Sequence, residues 1–337
     1  MGHQRPHSTL FVFLLLLSSA ALSEAVGFNW PVHADASGKW LKAAIGTPPQ
    51  FVRLALGDLN TGDDLRVSNA TYDHWRSTTY EWEGIFYANE PPLQLGVKAL
   101  ESFVVGDDGV SFRKKPFRVI NAALWTGGRP TVGWRRPTDG SDSFVTAVLR
   151  EVDEPVVVFS FDRPKRNGDP PISGVVTFGT PPAARCAPDW KFVHEIPYTA
   201  SPELPNQPQW TLNVTEFSFG DFSYEAAGQL LVSVEEERLV LPVLYRDDFL
   251  HLLGATDETA VPCDSRVDLR FAFGPLELRV TADEYMHRMN QSHGSCGLHV
   301  HFADISDREF GLSAAVIARN CLLLDYAHAR VGFATRR

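Results

Sequence analysis

Carboxylates are the first residues to weigh for chemistry. Asp58 stands beside Asn60-Thr-Gly62, Asp63-Asp64 follow, and Glu235-Glu-Glu237 come much later, after Ser233. Two carboxylates close enough to share a proton make an acid–base pair, one ionised and one neutral. Adjacent acids are more simply a solvated turn or a helix cap, and that is the expected role of Asp63-Asp64, Asp247-Asp248 and the Glu run. Metal chemistry would need closely spaced Cys or His. The four cysteines (Cys186, Cys263, Cys296 and Cys321) show no Cys-x-x-Cys pair, and His293, His299 and His301 are poorly spaced for zinc. Gly294-Ser-Cys-Gly297 is not the Gly-x-Ser-x-Gly elbow of a serine hydrolase. Neither a phosphate loop nor a dinucleotide fingerprint appears. No cofactor is expected.

The elements that would hold these residues read as strands. Val52–Leu56, Ser102–Val105, Pro155–Phe161, Gly174–Phe178, Trp210–Val214 and Val267–Phe273 are short β-branched or aromatic runs between turn residues. Asp247–Leu253 is the best helix. Loops are expected at 163–171, 181–184 and 201–208, where Pro, Gly and polar residues collect. The aromatic run Tyr80–Tyr87 has two readings, the lining of a cleft mouth or, more simply, core and strand packing, and the simpler one is expected.

The 337 residues, with 44% hydrophobic and 21% charged, suit an ordinary globular protein with room for two lobes. The net charge of −10 disfavours nucleic acid as a partner, and no basic run suggests a membrane patch. Residues 1–23 are expected to be a signal peptide: Arg5, an apolar run from Leu10 to Leu17, then small residues up to Ser23. No later stretch is apolar for long enough to span a bilayer. The expected destination is extracellular. Sequons at Asn69, Asn213 and Asn290 fit that compartment, and an even cysteine count there suggests two disulfides.

Several ordered stretches resemble pepsin-like aspartic proteases. Ile45-Gly-Thr-Pro-Pro-Gln50 is similar to the phrase that leads into the family's first catalytic loop. Leu95-Gly-Val97, Thr131-Val-Gly-Trp134, Gly174-Val-Val-Thr-Phe-Gly179, Val261-Pro-Cys263, Ser295-Cys296 and Arg330-Val-Gly-Phe-Ala334 follow in family order. The resemblance spans about residues 40–335. It implies a mainly β, bilobal fold with pseudo-twofold symmetry and a central cleft, divided into lobes at 28–182 and 183–337. It also implies the disulfides Cys263–Cys296 and Cys186–Cys321.

The family's catalytic residues do not carry over. Each lobe should supply an Asp-Thr-Gly loop, the glycine permitting a tight turn. The first lobe has Asn60-Thr61-Gly62 in a loop about two residues longer than usual. Asn is nearly isosteric with Asp but cannot ionise. Asp58 is a substitute only out of register. In the second lobe, counting back from Pro242 places Ser233, Val234 and Glu235 where Asp, Thr and Gly belong. The flap keeps Tyr87 as the matching binding residue, but Pro91-Pro92 follow in place of glycines. Between Ser23 and Trp40 the chain is too short for the family's basic prosegment. The resemblance therefore implies a secreted monomer that has lost proteolysis and binds a peptide or protein partner. An active endopeptidase with an atypical catalytic pair, Asp58 and a nearby Glu, is the alternative left open.

Overall fold

The computed structural model describes residues 27–57, 59, 65–88, 94–120, 129–137, 142–162, 173–197, 210–259, 261–288, 295–304 and 309–337. Within them the chain is mainly β. In chain order the first half contains β1 (Phe28–Asp35), β2 (Gly38–Ile45), β3 (Gln50–Ala55), β4 (Leu65–Ser68), β5 (Glu81–Ala88), β6 (Gln94–Val105), β7 (Val110–Ile120), β8 (Thr131–Val132), helix α1 (Phe144–Leu149), β9 (Val156–Phe161) and β10 (Gly174–Phe178). The second half continues with β11 (Lys191–His194), β12 (Thr211–Phe219), β13 (Phe222–Val232), β14 (Leu239–Pro242), helix α2 (Arg246–Leu253), β15 (Val261–Pro262), β16 (Leu269–Phe273) and β17 (Leu276–Val280). It ends with helix α3 (Ala282–Tyr285), β18 (Met286–Arg288), β19 (Ser295–Leu298), β20 (Val300–Ala303), β21 (Glu309–Leu312), helix α4 (Ala314–Ile317), β22 (Asn320–Asp325) and β23 (Arg330–Thr335).

One sheet of 13 strands has the order β11-β23-β22-β9-β10-β1-β2-β3-β8-β4-β7-β6-β5. An extra pairing of β2 with β6 closes β2, β3, β8, β4, β7 and β6 into a six-stranded barrel. Beyond the barrel, three strands from the second half pair edge to edge with three from the first, β22 lying against β9. A second sheet of seven strands, β17-β16-β12-β13-β21-β14-β20, and a three-stranded one, β15-β19-β18, complete the second half.

Local sequence accounts for much of this. β3 alternates buried Val52 and Leu54 with exposed Phe51 and Arg53, because successive side chains leave a strand on opposite faces. β9 is buried at every position. It lies between β10 and β22, so its run Val-Val-Val-Phe-Ser-Phe has no solvent side. The helix expected at 247–253 begins one residue earlier, at Arg246. It ends at Gly254 in the left-handed region (φ 68°), which glycine adopts without strain. The aromatic run at 80–87 divides, with Tyr80 packed against the core. Trp82 and Ile85 are largely exposed on β5, the sheet's outermost strand, so they do not pack the core.

The core is rich in rings. Trp30, Trp134, Phe144, Phe159 and Phe178 fill the first half, and Phe217, Phe219, Phe249, Phe271 and Phe310 the second. The halves meet at the Trp134 carbonyl, which accepts from the Trp210 indole N–H (2.9 Å) and the Tyr326 hydroxyl (2.5 Å). Cys186–Cys321 and Cys263–Cys296 are both disulfide-bonded, with Cα–Cα distances of 5.9 and 5.1 Å. These are the pairs the resemblance implies. Asn69 and Asn213 are exposed, as a sequon in use must be. Asn290, the signal segment at 1–23 and the loops 163–171 and 201–208 lie outside the described residues.

Candidate functional site

Two strand–turn–strand units carry the residues of interest, and their connectivity is the same. In the first, β8 runs parallel to β3 (Ala55↔Thr131) and antiparallel to β4 (Arg66↔Thr131), and β4 is parallel to β7 (Arg66↔Arg118). In the second, β21 runs parallel to β13 (Leu231↔Gly311) and antiparallel to β14 (Val240↔Gly311), and β14 is parallel to β20 (Val240↔His301). Each unit therefore slots a later strand between the two strands that flank a turn. Through the inserted strand Ala55 corresponds to Leu231 and Arg66 to Val240, so the turn of the first unit is two residues longer than that of the second. The position two residues past β3's Ala55 is Gly57; two past Leu231 is Ser233.

Gly57 has φ +70°, and a Cβ there would lie 2.5 Å from the Val132 carbonyl oxygen, closer than a real Cβ approaches. This turn position has no room for a carboxylate side chain. The Trp134 indole N–H donates to the Leu56 carbonyl just before it. Asp58, Asn60, Thr61 and Gly62 lie outside the described residues. In the second unit the Ser233 N–H donates to the Leu312 carbonyl (3.1 Å), and its Oγ accepts from the Glu236 N–H (3.1 Å). Ser233 thus folds the turn that displays the Glu run, as a short hydroxyl side chain does in tight loops. Glu236 in turn accepts at its carbonyl from the Ala314 N–H (2.8 Å), fastening the turn to α4. The backbone of Tyr87 pairs with Leu95 across β5 and β6.

Lys39 is the residue that sequence reasoning passed over. Its carbonyl accepts from the Leu56 N–H (3.1 Å) at the first turn. Its ammonium donates to the Glu235 carbonyl (3.0 Å) and lies 3.6 Å from the Glu237 carboxylate at the second. One β2 residue therefore tethers both turns. Its side chain is only 2% exposed. Burial holds its pKa below the ordinary lysine value, and the Glu237 carboxylate opposes that shift. The available signal was phase: Lys39 shares the inward face of β2 with Leu41, Ala43 and Ile45, where a charge is out of place.

A cavity of about 720 Å³ opens on the second turn, lined by Ser233, the three glutamates, Arg238, His287, Leu298 and His299. The His287 and His299 rings lie 4.2 Å apart, centroid to centroid. Nδ1 of His287 is buried without a hydrogen-bond partner among the described residues. Burial lowers the pKa of both imidazoles, and at His299 the neighbouring His287 lowers it further, while Glu237 pulls the other way. His301 is exposed. Among the described residues no group of three or more His, Cys, Asp or Glu is placed to hold a metal ion.

The pair makes a pH prediction. A histidine whose folded pKa is depressed binds fewer protons folded than unfolded, so stability drops as pH falls below about 6.5 through the folded value. His299→Gln is expected to flatten that acid loss, measured as urea unfolding free energy at about pH 7 and 5. A steeper loss in the variant would mean that Glu237 favours the protonated pair.

No helix among the described residues is long and apolar enough to cross a membrane. In comparisons with known proteins, no family model matches the sequence and no curated protein matches it significantly.

Proposed function

We propose that this chain is a secreted, pepsin-like protein that has given up proteolysis and works by binding a peptide or protein. In this reading residues 28–182 and 183–337 are two lobes, and the two turns face a common cleft. The matched strand–turn–strand connectivity, the edge-to-edge sheet shared by the halves and the two disulfides support the architecture.

The observation that carries the functional reading is the identity of the two register-equivalent turn residues. Counted from the incoming strands β3 and β13, Gly57 and Ser233 take equivalent places, and neither side chain can share a proton at working pH. A lysine ammonium, Lys39, occupies the junction instead, fixed to the second turn. A general base needs a lone pair within reach of water; an ammonium and a glycine offer none.

The test is purified protein on denatured haemoglobin and a peptide library between about pH 2.5 and 6, with and without pepstatin. No cleavage is expected. Pepstatin-sensitive cleavage that disappears in Asp58→Ala would overturn the proposal.

A further inference from the structure

β5 is the last strand of the large sheet, and among the described residues only β6 pairs with it. Its outer edge therefore presents unpaired N–H and C=O groups, a template on which another strand can add. The other sheet ends are less open. β11 has four residues and begins with Lys191, β20 has four, and β17 carries Glu277 and Arg279. The small sheet ends in strands of two and three residues. Short length and charge both blunt an edge. β5 spans eight residues, and its only charges, Glu81 and Glu83, fall at its start. Its one irregularity, a bulge between Trp82 and Gly84, lies at the same end. The stretch from Gly84 to Ala88 thus has no charge, proline or bulge to guard it.

Gly84 adds an independent observation. Its φ is outside the left-handed region, and a Cβ placed on it would meet nothing within 4 Å. Neither the backbone nor the packing of this chain calls for a glycine there, and glycine weakens a strand interior. A strand glycine of that kind marks a place where another backbone approaches closely. Beside it Ile85 is 72% exposed and Trp82 62% exposed, apolar surface of the sort that association covers.

We propose that β5 pairs with β5 of a second copy of this chain, antiparallel about a twofold axis at Phe86. Gly84 then lies opposite Ala88 of the partner subunit, small residues that let the two backbones approach. Ile85 lies opposite Tyr87 of the partner subunit, and a β-branched residue across from an aromatic one is a pair that stabilises sheets. Charge selects this register. Glu81 and Glu83 of both copies stay outside the paired stretch, whereas a parallel pairing in register would set each glutamate against its own copy, and like charges directly opposite destabilise. The twofold also closes: each copy's open edge is used once, so the assembly stops at two chains. A dimer replaces the monomer that the family resemblance implies, and it stands whether or not the chain binds or cleaves peptides.

The test is the molar mass of the purified full chain by sedimentation equilibrium between about 1 and 100 µM, a range over which mass action shifts a dimer. Twice the chain's mass is expected at the upper end. Ile85→Lys puts a charge on the edge and should raise the dissociation constant about tenfold or more. Should that variant fail to fold, Ile85→Ser should still weaken the dimer several-fold. Phe51→Ser removes an equally exposed ring from β3, which is paired on both sides, and should leave the dimer unchanged. Phe86→Cys should link two chains on mild oxidation, because residues opposite each other in an antiparallel pair have Cα atoms about 5 Å apart, within disulfide reach. The mass of one chain over the whole range, a dimer unaffected by Ile85→Lys, an equal loss in Phe51→Ser, or no cross-link through Phe86→Cys would each overturn the proposal.

Discussion

Glu101→Ala is expected to cost about 3–5 kcal/mol of unfolding free energy. Glu101 is fully buried on β6. Its carboxylate accepts from the Tyr72 hydroxyl (2.5 Å), the Thr79 hydroxyl and the Ser102 N–H (2.7 Å). The segment from Thr71 to Tyr80 joins β4 to β5, and this carboxylate fastens it to the barrel. Removing the acceptor takes the carboxylate from a buried phenol and a backbone N–H, while the Thr79 hydroxyl keeps Thr47 Oγ1 (3.2 Å) within reach, and each donor left unpaired carries its own desolvation cost. Burial and the bond to Glu101 already hold the Tyr72 phenol well above its ordinary pKa, so it stays a neutral donor. Tyr72→Phe removes one donor and keeps the ring against Phe117, which it meets edge-on at 5.4 Å. It should cost about 1–3 kcal/mol. Urea unfolding of both single variants and the double variant measures the coupling. Additive costs would show that the pair does not act as a unit.

Replacing both Cys186 and Cys321 by alanine should cost about 5 kcal/mol in the chain-entropy limit, against about 4 kcal/mol for the pair Cys263 and Cys296. The first bond closes a sequence separation of 135 residues, the second only 33, and the entropy removed from the unfolded chain grows with loop length. Packing adds to the difference. Cys186 and Cys321 are buried with Val156, Val158, Leu323 and Ala334, under Trp190. That cluster sits where β22 meets β9, so the bond staples the start of the second half to the sheet that both halves share. Thermal unfolding of the two alanine pairs should rank them in that order; a larger loss from the shorter loop would refute the entropic account.

Strand content was readable because a pleated strand with one buried face alternates its residue types, as β3 does. The buried run in β9 and the helix at Arg246–Leu253 were readable for similar local reasons. The exposure of Trp82 was not, since an aromatic strand looks the same at a sheet edge as at its centre. Gly57 was hidden for a different reason. Its place in the first turn follows from the pairing of Ala55 with Thr131, a contact between segments 76 residues apart that local spacing does not reveal.

The sequence by itself determined a β-rich chain, four cysteines available for two bonds, and the lack of any Asp-Thr-Gly, because these depend only on residue type and local spacing. Tertiary structure decided which groups meet. Lys39 reaches the Glu235 carbonyl across 196 residues of chain. His287 meets His299 with tilted rings, Glu101 collects donors from another segment, and Lys98, Arg118 and Arg66 fall into one row only when β6, β7 and β4 pair. Such contacts are set by strand register between distant segments, and a one-residue slip would turn every one of those side chains to the opposite face.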